Sequence, residues 1–174
     1  MAATAISLVF PLQNPQANCA AMAQTWLHMS LSNKAPVTQP HLITSVRNMT
    51  QTRDARNLGG PSMSSLAGNN FTSTPPIILQ NTPYNQCFST LMNQNKTYPG
   101  YYITIKFNGG QHAMAAWLSP YFSFLLEPDS GLWNFTNNFS GAESLAGLMD
   151  KMKLGRVCPE FKIYSVVHAR SWNK

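Results

Sequence analysis

Residues 101–118 constrain the fold more than any other stretch. Tyr101-Tyr102-Ile103-Thr104-Ile105-Lys106-Phe107 alternates with the period of two of a half-buried strand, Asn108-Gly109-Gly110 is a tight-turn sequence, and His112 to Leu118 returns as a second strand. The hairpin puts an antiparallel sheet in the second half of the chain. Ser119-Pro120 turns again, Tyr121 to Leu126 reads as a third strand, Trp133-Asn134-Phe135 as a fourth, and Phe161 to His168 as the strand that closes the sheet.

Upstream the periodicity becomes helical. After Cys19 the apolar residues Met22, Trp26, Leu27, Met29 and Leu31 recur near helical spacing, and Asn18 is a competent N-cap. This predicts a helix that starts at Cys19 and ends near Ser32-Asn33. The short run Ile6 to Phe10, stopped by Pro11, suits a small strand or a packed arm. Ala35 to Asn81 reads as mostly irregular, with a short helix from Leu42 to Arg53 and loops at Asn57 to Ser62 and Asn69 to Pro76 that suit a surface loop or a lid. A short helix is expected from Tyr84 to Asn95. Another is expected from Ser140 to Lys153, with Ser140 or Gly141 near its cap, Glu143 in its first turn and Lys151 and Lys153 in its last. The expected class is α+β, with helices first and antiparallel sheet after, in a single domain spanning 1–174.

Composition narrows what such a chain can do. Charged residues are 10% of its 174 residues, against roughly 25% in an average globular protein, while 44% are hydrophobic, enough for a core. No apolar run approaches the roughly 20 residues that span a bilayer, and Met1 to Phe10 lacks the pattern of a secretory signal. The three cysteines, Cys19, Cys87 and Cys158, are an odd number at irregular spacing, which argues against a disulfide framework and for a reducing setting. The net charge of +6 includes the clusters Arg47, Arg53, Arg56 and Lys151, Lys153, Arg156, which suit a solvated face or weak attraction to an anionic membrane surface. The basic residues are not interleaved with aromatics, so nucleic acid is not an expected partner. No paired Cys/His spacing suggests a metal, and no cofactor motif is present.

The polar loop before Cys19 and the histidine at the head of an apolar strand point instead to thiol chemistry. A thiol attacks a carbonyl as thiolate, and at its ordinary pKa of about 8.5 only a few per cent is ionised at pH 7. A helix N-terminus and a nearby imidazolium both lower that pKa, and the sequence offers Cys19 both. An oxyanion needs donors: the backbone amide of Cys19 is one and the side chain of Gln13, six residues earlier, a second. An imidazole that acts as base and then acid is best held by a carboxylate, and Glu127 and Asp129 are the two near His112.

The Gln-x5-Cys-helix opening resembles the papain superfamily. The run Gly109-Gly110-Gln111-His112-Ala113-Met114-Ala115-Ala116, with Leu125-Leu126-Glu127-Pro128-Asp129-Ser130-Gly131-Leu132-Trp133-Asn134-Phe135, is similar to the YopT/AvrPphB-type cysteine proteases, effectors injected into host cells by bacterial secretion systems. The resemblance implies a papain-like fold, Cys19 as nucleophile, His112 as general base and acid, and Gln13 as the oxyanion-hole amide. Where that family has Asp-Pro-Asn-x-Gly this chain has Glu127-Pro128-Asp129-Ser130-Gly131, so the third member is Glu127 or, with a shifted hairpin, Asp129. It also implies a host protein as substrate, a secretion-system component or chaperone as partner, and delivery into a target cell without a classical signal peptide. Two rival expectations stand beside it: an inactive papain-fold effector that acts by binding, and a peptidoglycan amidase. Cys87 and Cys158 read as packing residues, His28 and His41 lack nearby carboxylates, His168 reads as a strand histidine, and Trp133 beside the acidic turn reads as core or as a shield for His112.

Overall fold

The computed structural model describes residues 5–13, 19–39, 71–94, 99–120 and 122–168. At its centre lies the hairpin of β4 (Gly100–Phe107) and β5 (Gly110–Trp117), turned at Gly109 with a φ of 111°. Full register runs from Gly100 opposite Trp117 to Phe107 opposite Gly110. Beyond β5 the sheet continues through β6 (Phe122–Glu127) and β7 (Gly131–Thr136) to β1 (Ile6–Pro11). On the other side β4 pairs with the long β8 (Val157–His168), which in turn pairs with β2 (Phe71–Ser73) and β3 (Ile77–Pro83). The eight strands of the described residues are all antiparallel to their neighbours.

Alternation along β4 and β5 sends side chains to two cores. Ile103, Ile105, Met114 and Ala116 pack under α2 (Tyr84–Met92) and α3 (Phe139–Lys151). Tyr102, Ala113, Ala115 and Trp117 face the opposite core, which holds α1 (Cys19–Asn33). The alanines of β5 let α1 lie close to the sheet. Met22, Trp26 and Leu27 are fully buried there, which contributes roughly 2 kcal/mol each. The first two turns of α1 are buried on nearly every side, from Ala21 to Leu27, so even Gln24 is enclosed and donates to the Tyr102 hydroxyl at 3.4 Å. Trp26 Nε1 donates to Val37 O at 2.9 Å and the Val37 amide donates to Ser30 Oγ at 3.0 Å, which ties down the chain after the helix.

The α+β class and antiparallel sheet agree with the sequence reading, but the order of elements differs. Helices are interleaved with strands: the chain enters as β1 on one edge, and β2 and β3 form where a loop is expected up to Asn81. Prolines 75, 76 and 83 obscure β3 in the sequence, yet proline is tolerated at the ends of an edge strand, where no ladder bond is lost. Helix α3 begins at Phe139, capped by Asn138 rather than Ser140 or Gly141; Asn138 Oδ1 accepts from the Gly141 amide at 3.0 Å. Gly141 is needed because a Cβ there would stand 1.8 Å from the Thr136 carbonyl oxygen. Cys87 and Cys158 are fully buried packing residues. Asn18, His41 and the helix expected from Leu42 to Arg53 lie outside the described residues, as do the loop from Asn57 to Ser62 and the cluster Arg47, Arg53, Arg56.

Candidate active site

The site forms where the hairpin's partner strands separate. The ladder between β5 and β6 covers Ala115 to Trp117 against Leu126 to Phe124, and beyond it the two strands are joined by side chains. His112 projects from the start of β5 and Glu127 from the end of β6. Nε2 of His112 stands 2.6 Å from Oε2 of Glu127, with the imidazole 7% exposed and the carboxylate fully buried. An ion pair out of water costs free energy unless its geometry and remaining hydrogen bonds are good. Here Oε2 also accepts from the Asp129 amide at 3.0 Å, which the tight turn after Glu127 folds back onto the carboxylate.

Cys19 is the first residue of α1, half-buried, with its thiol in hydrogen-bonding reach of His112. With Nε2 taken by Glu127, Nδ1 is the ring nitrogen left for the sulfur. Burial pushes the thiol pKa up, but the His112 hydrogen bond and charge and the backbone amides of Ala113 and Ala20 outweigh it, and the pKa lies below its ordinary value. Burial pushes His112 down, while the Cys19 and Glu127 hydrogen bonds and the Glu127 charge raise it to about 10. Glu127 is held below the usual carboxylate range by His112, the Asp129 amide and the Ser130 hydroxyl, against the burial that would raise it. All three directions favour the charged form of each group: thiolate, imidazolium, carboxylate.

Of the two carboxylates the sequence offers, Glu127 holds the imidazole. Asp129 stays 51% exposed, with Oδ2 at 3.9 Å from Nδ1, too far for a hydrogen bond. Gln13 is exposed and lies two residues beyond β1. Its strand is tied to the acidic turn, since the Leu12 amide donates to Ser130 O at 3.1 Å and β1 pairs Pro11 with Gly131. Residues 14–18, which join Gln13 to Cys19, lie outside the described residues. Gly131 is required at this junction: its φ is 146°, and a Cβ would meet the Phe10 carbonyl oxygen at 2.2 Å.

Periodicity does not single out Ser130, whose Oγ accepts from Trp133 Nε1 at 2.9 Å. The sequence presents Trp133 as core or as a shield, and the structure adds its indole N–H bond to the acidic turn. His112, Glu127 and Asp129 bring one donor atom each within 4.8 Å of one another, the one such trio among the described residues. Two donors on one tetrahedral ion stand about 3.4 Å apart, so the 2.6 Å contact of His112 and Glu127 is a shared proton rather than a preformed metal site.

A helix headed by Cys19 and packed on an antiparallel sheet gives the chain a papain-like cysteine protease fold. It is similar to the crystal structure of the Pseudomonas avirulence protein AvrPphB, at 15% identity and a TM-score of 0.64, over 95% of this chain and 97% of that one. It is also similar to the ubiquitin-specific protease of the murine cytomegalovirus tegument protein M48, solved with a ubiquitin-based suicide substrate, at 14% identity and a TM-score of 0.54, over 95% of this chain and 87% of that one. A cysteine protease-like domain of the Photorhabdus asymbiotica toxin PaTox aligns at 10% identity and a TM-score of 0.47, over 91% of this chain and 53% of that chain. No protein-family model and no curated protein matches the sequence.

Proposed function

We propose that this protein is a cysteine protease-like effector that hydrolyses an amide bond in a host protein. Cys19 is the nucleophile, His112 the general base and acid, and Glu127 the group that orients the imidazole and balances its charge. The Cys19 thiolate attacks the amide carbonyl, and the oxyanion is met by the Cys19 backbone amide and the Gln13 side chain. His112 gives its proton to the leaving nitrogen, the C–N bond breaks and a thioester remains on Cys19. His112 then takes a proton from water, which attacks the thioester; the C–S bond breaks, releasing the acid product and the Cys19 thiolate beside the imidazolium. Asp129, half exposed beside the imidazole, lies at the rim, where it adds negative potential.

One observation carries this reading: a half-buried thiol that burial alone would make inert is instead shifted toward thiolate, beside an imidazole held at 2.6 Å by a buried carboxylate. The choice of a protein substrate draws on the fold's likeness to an avirulence protein and to a viral protease that takes ubiquitin. Delivery into a host cell through a secretion system or with a chaperone belongs to the same reading.

Alkylation of Cys19 by iodoacetamide, followed by mass spectrometry across pH, tests it. Wild type should react well below pH 8, and His112→Ala should lose on the order of 10–100-fold of that rate at pH 6.5, the loss of one imidazolium partner. Glu127→Gln should lose about 10-fold. A Cys19 profile indifferent to His112 overturns the hydrolase and leaves a fold that acts by binding.

A further inference from the structure

Glu127 is held at one of its two oxygens. Oε2 takes the imidazole and the Asp129 amide, whereas Oε1 is buried and makes no hydrogen bond among the described residues. A buried carboxylate oxygen without a donor costs about 1–3 kcal/mol, so a donor within reach will be used. A candidate lies three residues on. Ser130 closes the same turn, its amide donating to the Glu127 carbonyl at 3.1 Å, and its hydroxyl already helps to keep Glu127 ionised.

The direction of that hydroxyl follows from Trp133. A serine hydroxyl has one proton to donate and lone pairs to accept with, while an indole N–H only donates. Because Trp133 Nε1 donates to Ser130 Oγ at 2.9 Å, the oxygen is occupied as acceptor and its proton is directed away from the indole. Trp133 is itself set by the sheet, opposite Leu8 of β1 on one side and Leu125 of β6 on the other.

We propose that Ser130 is a positioning residue for Glu127: oriented by the Trp133 N–H, its hydroxyl donates to Oε1, so that the buried acid stays ionised and aimed at His112. The relay runs Trp133 to Ser130 to Glu127 to His112 to Cys19, each group fixing the proton of the next. It rests on the hydrolase reading and adds two residues that never touch a substrate.

The test is the pH profile of Cys19 alkylation in Ser130→Ala, Ser130→Thr and Trp133→Phe, with thermal melting alongside. Ser130→Ala should lose about 10-fold in rate at pH 6.5, its rising limb moving to a pH higher by roughly 1. Ser130→Thr, which keeps the hydroxyl, should restore the profile, and Trp133→Phe should lose about 3-fold in the same direction. A serine that only fills space would change the melting temperature and leave the profile where it was. If Ser130→Ala does not fold, Trp133→Phe decides, and an unmoved profile there overturns the relay. A wild-type Cys19 without His112-dependent reactivity fells the hydrolase reading and the relay together. A wild type that has it, with an unchanged Ser130→Ala profile, fells the relay alone.

Discussion

Cys19 on one side of the sheet and Cys87 with Cys158 on the other are the same chemical group in two environments. Burial pushes all three pKa values up. Cys87 is raised to about 12, and Cys158 is also raised, although the Tyr84 hydroxyl partly offsets it. Among the described residues no cation lowers Cys87: its sulfur donates to Thr82 O at 3.6 Å, and the charge that acts on it is that of another thiol, Cys158. Cys19 meets an imidazole and two backbone amides, and its pKa falls. Burial therefore makes a thiol inert unless the donors and charge built against it outweigh that burial, and of the three cysteines this holds for Cys19.

The largest way to break that contrast is to compare the three thiols in one native sample. At pH 6.5 Cys19 should be alkylated at least on the order of 10³ times faster than Cys87 or Cys158, about 4 kcal/mol in thiolate availability and access. Unfolding in guanidinium should bring the three rates within about 10-fold of each other. Native rates that already lie that close would mean the two environments do not differ in kind.

A second substitution sharpens the contrast through the backbone. Gly131→Ala places a Cβ against Phe10 O at 2.2 Å and Leu8 Cδ1 at 2.8 Å, at a φ of 146° that a side chain rarely adopts. It should cost about 2–4 kcal/mol of stability and slow Cys19 alkylation, because β1 and the acidic turn are displaced together. Cys87 and Cys158 should stay protected. Gly147→Ala on α3, where nothing lies within 4 Å, should be neutral or stabilise by up to about 1 kcal/mol. A Gly131→Ala protein with wild-type urea unfolding and wild-type Cys19 reactivity would show that the junction is not a constraint.

How much of this is legible in the sequence follows from which interactions are local. The β4–β5 hairpin is legible because alternation and an Asn-Gly-Gly turn are written within 18 residues, and α1 because its apolar residues begin right after Cys19. Strands β2 and β3 are not, because they are defined by pairing with β8 some 80 residues away and their prolines read locally as loop. Asn138 is hidden as a cap because Ser140 and Gly141 lie closer to the first apolar spacing. The sequence can offer Glu127 and Asp129 as acids. Choosing between them requires the turn itself, which folds the Asp129 amide onto Glu127 and leaves the Asp129 carboxylate facing outward. The Trp133 to Ser130 bond is a matter of side-chain direction within that turn, which no periodicity encodes.

The smallest effect sharpens the contrast most, because it reads the proton inventory of the site. His112 has a raised pKa of about 10, so its contribution to stability is full below its unfolded value of about 6.5 and is lost as pH rises toward 10. Cys19 has a lowered pKa, so its contribution is full above its unfolded value of about 8.5 and is lost as pH falls. Where the folded thiol is ionised between those two unfolded values, the folded pair holds one proton, on the imidazole, and the unfolded pair also holds one, on the thiol. The losses and gains cancel, and urea stability should be flat from about pH 6.5 to 8.5 as far as this pair is concerned. Cys19→Ala removes the thiol from the inventory, so stability should then fall as pH rises across that window, by up to about 1.4 kcal/mol per pH unit. Cys87→Ala should leave the slope of wild type. A Cys19→Ala protein whose stability stays flat would mean that Glu127 alone does not keep the extra proton on His112, and that the thiol is needed to hold it there.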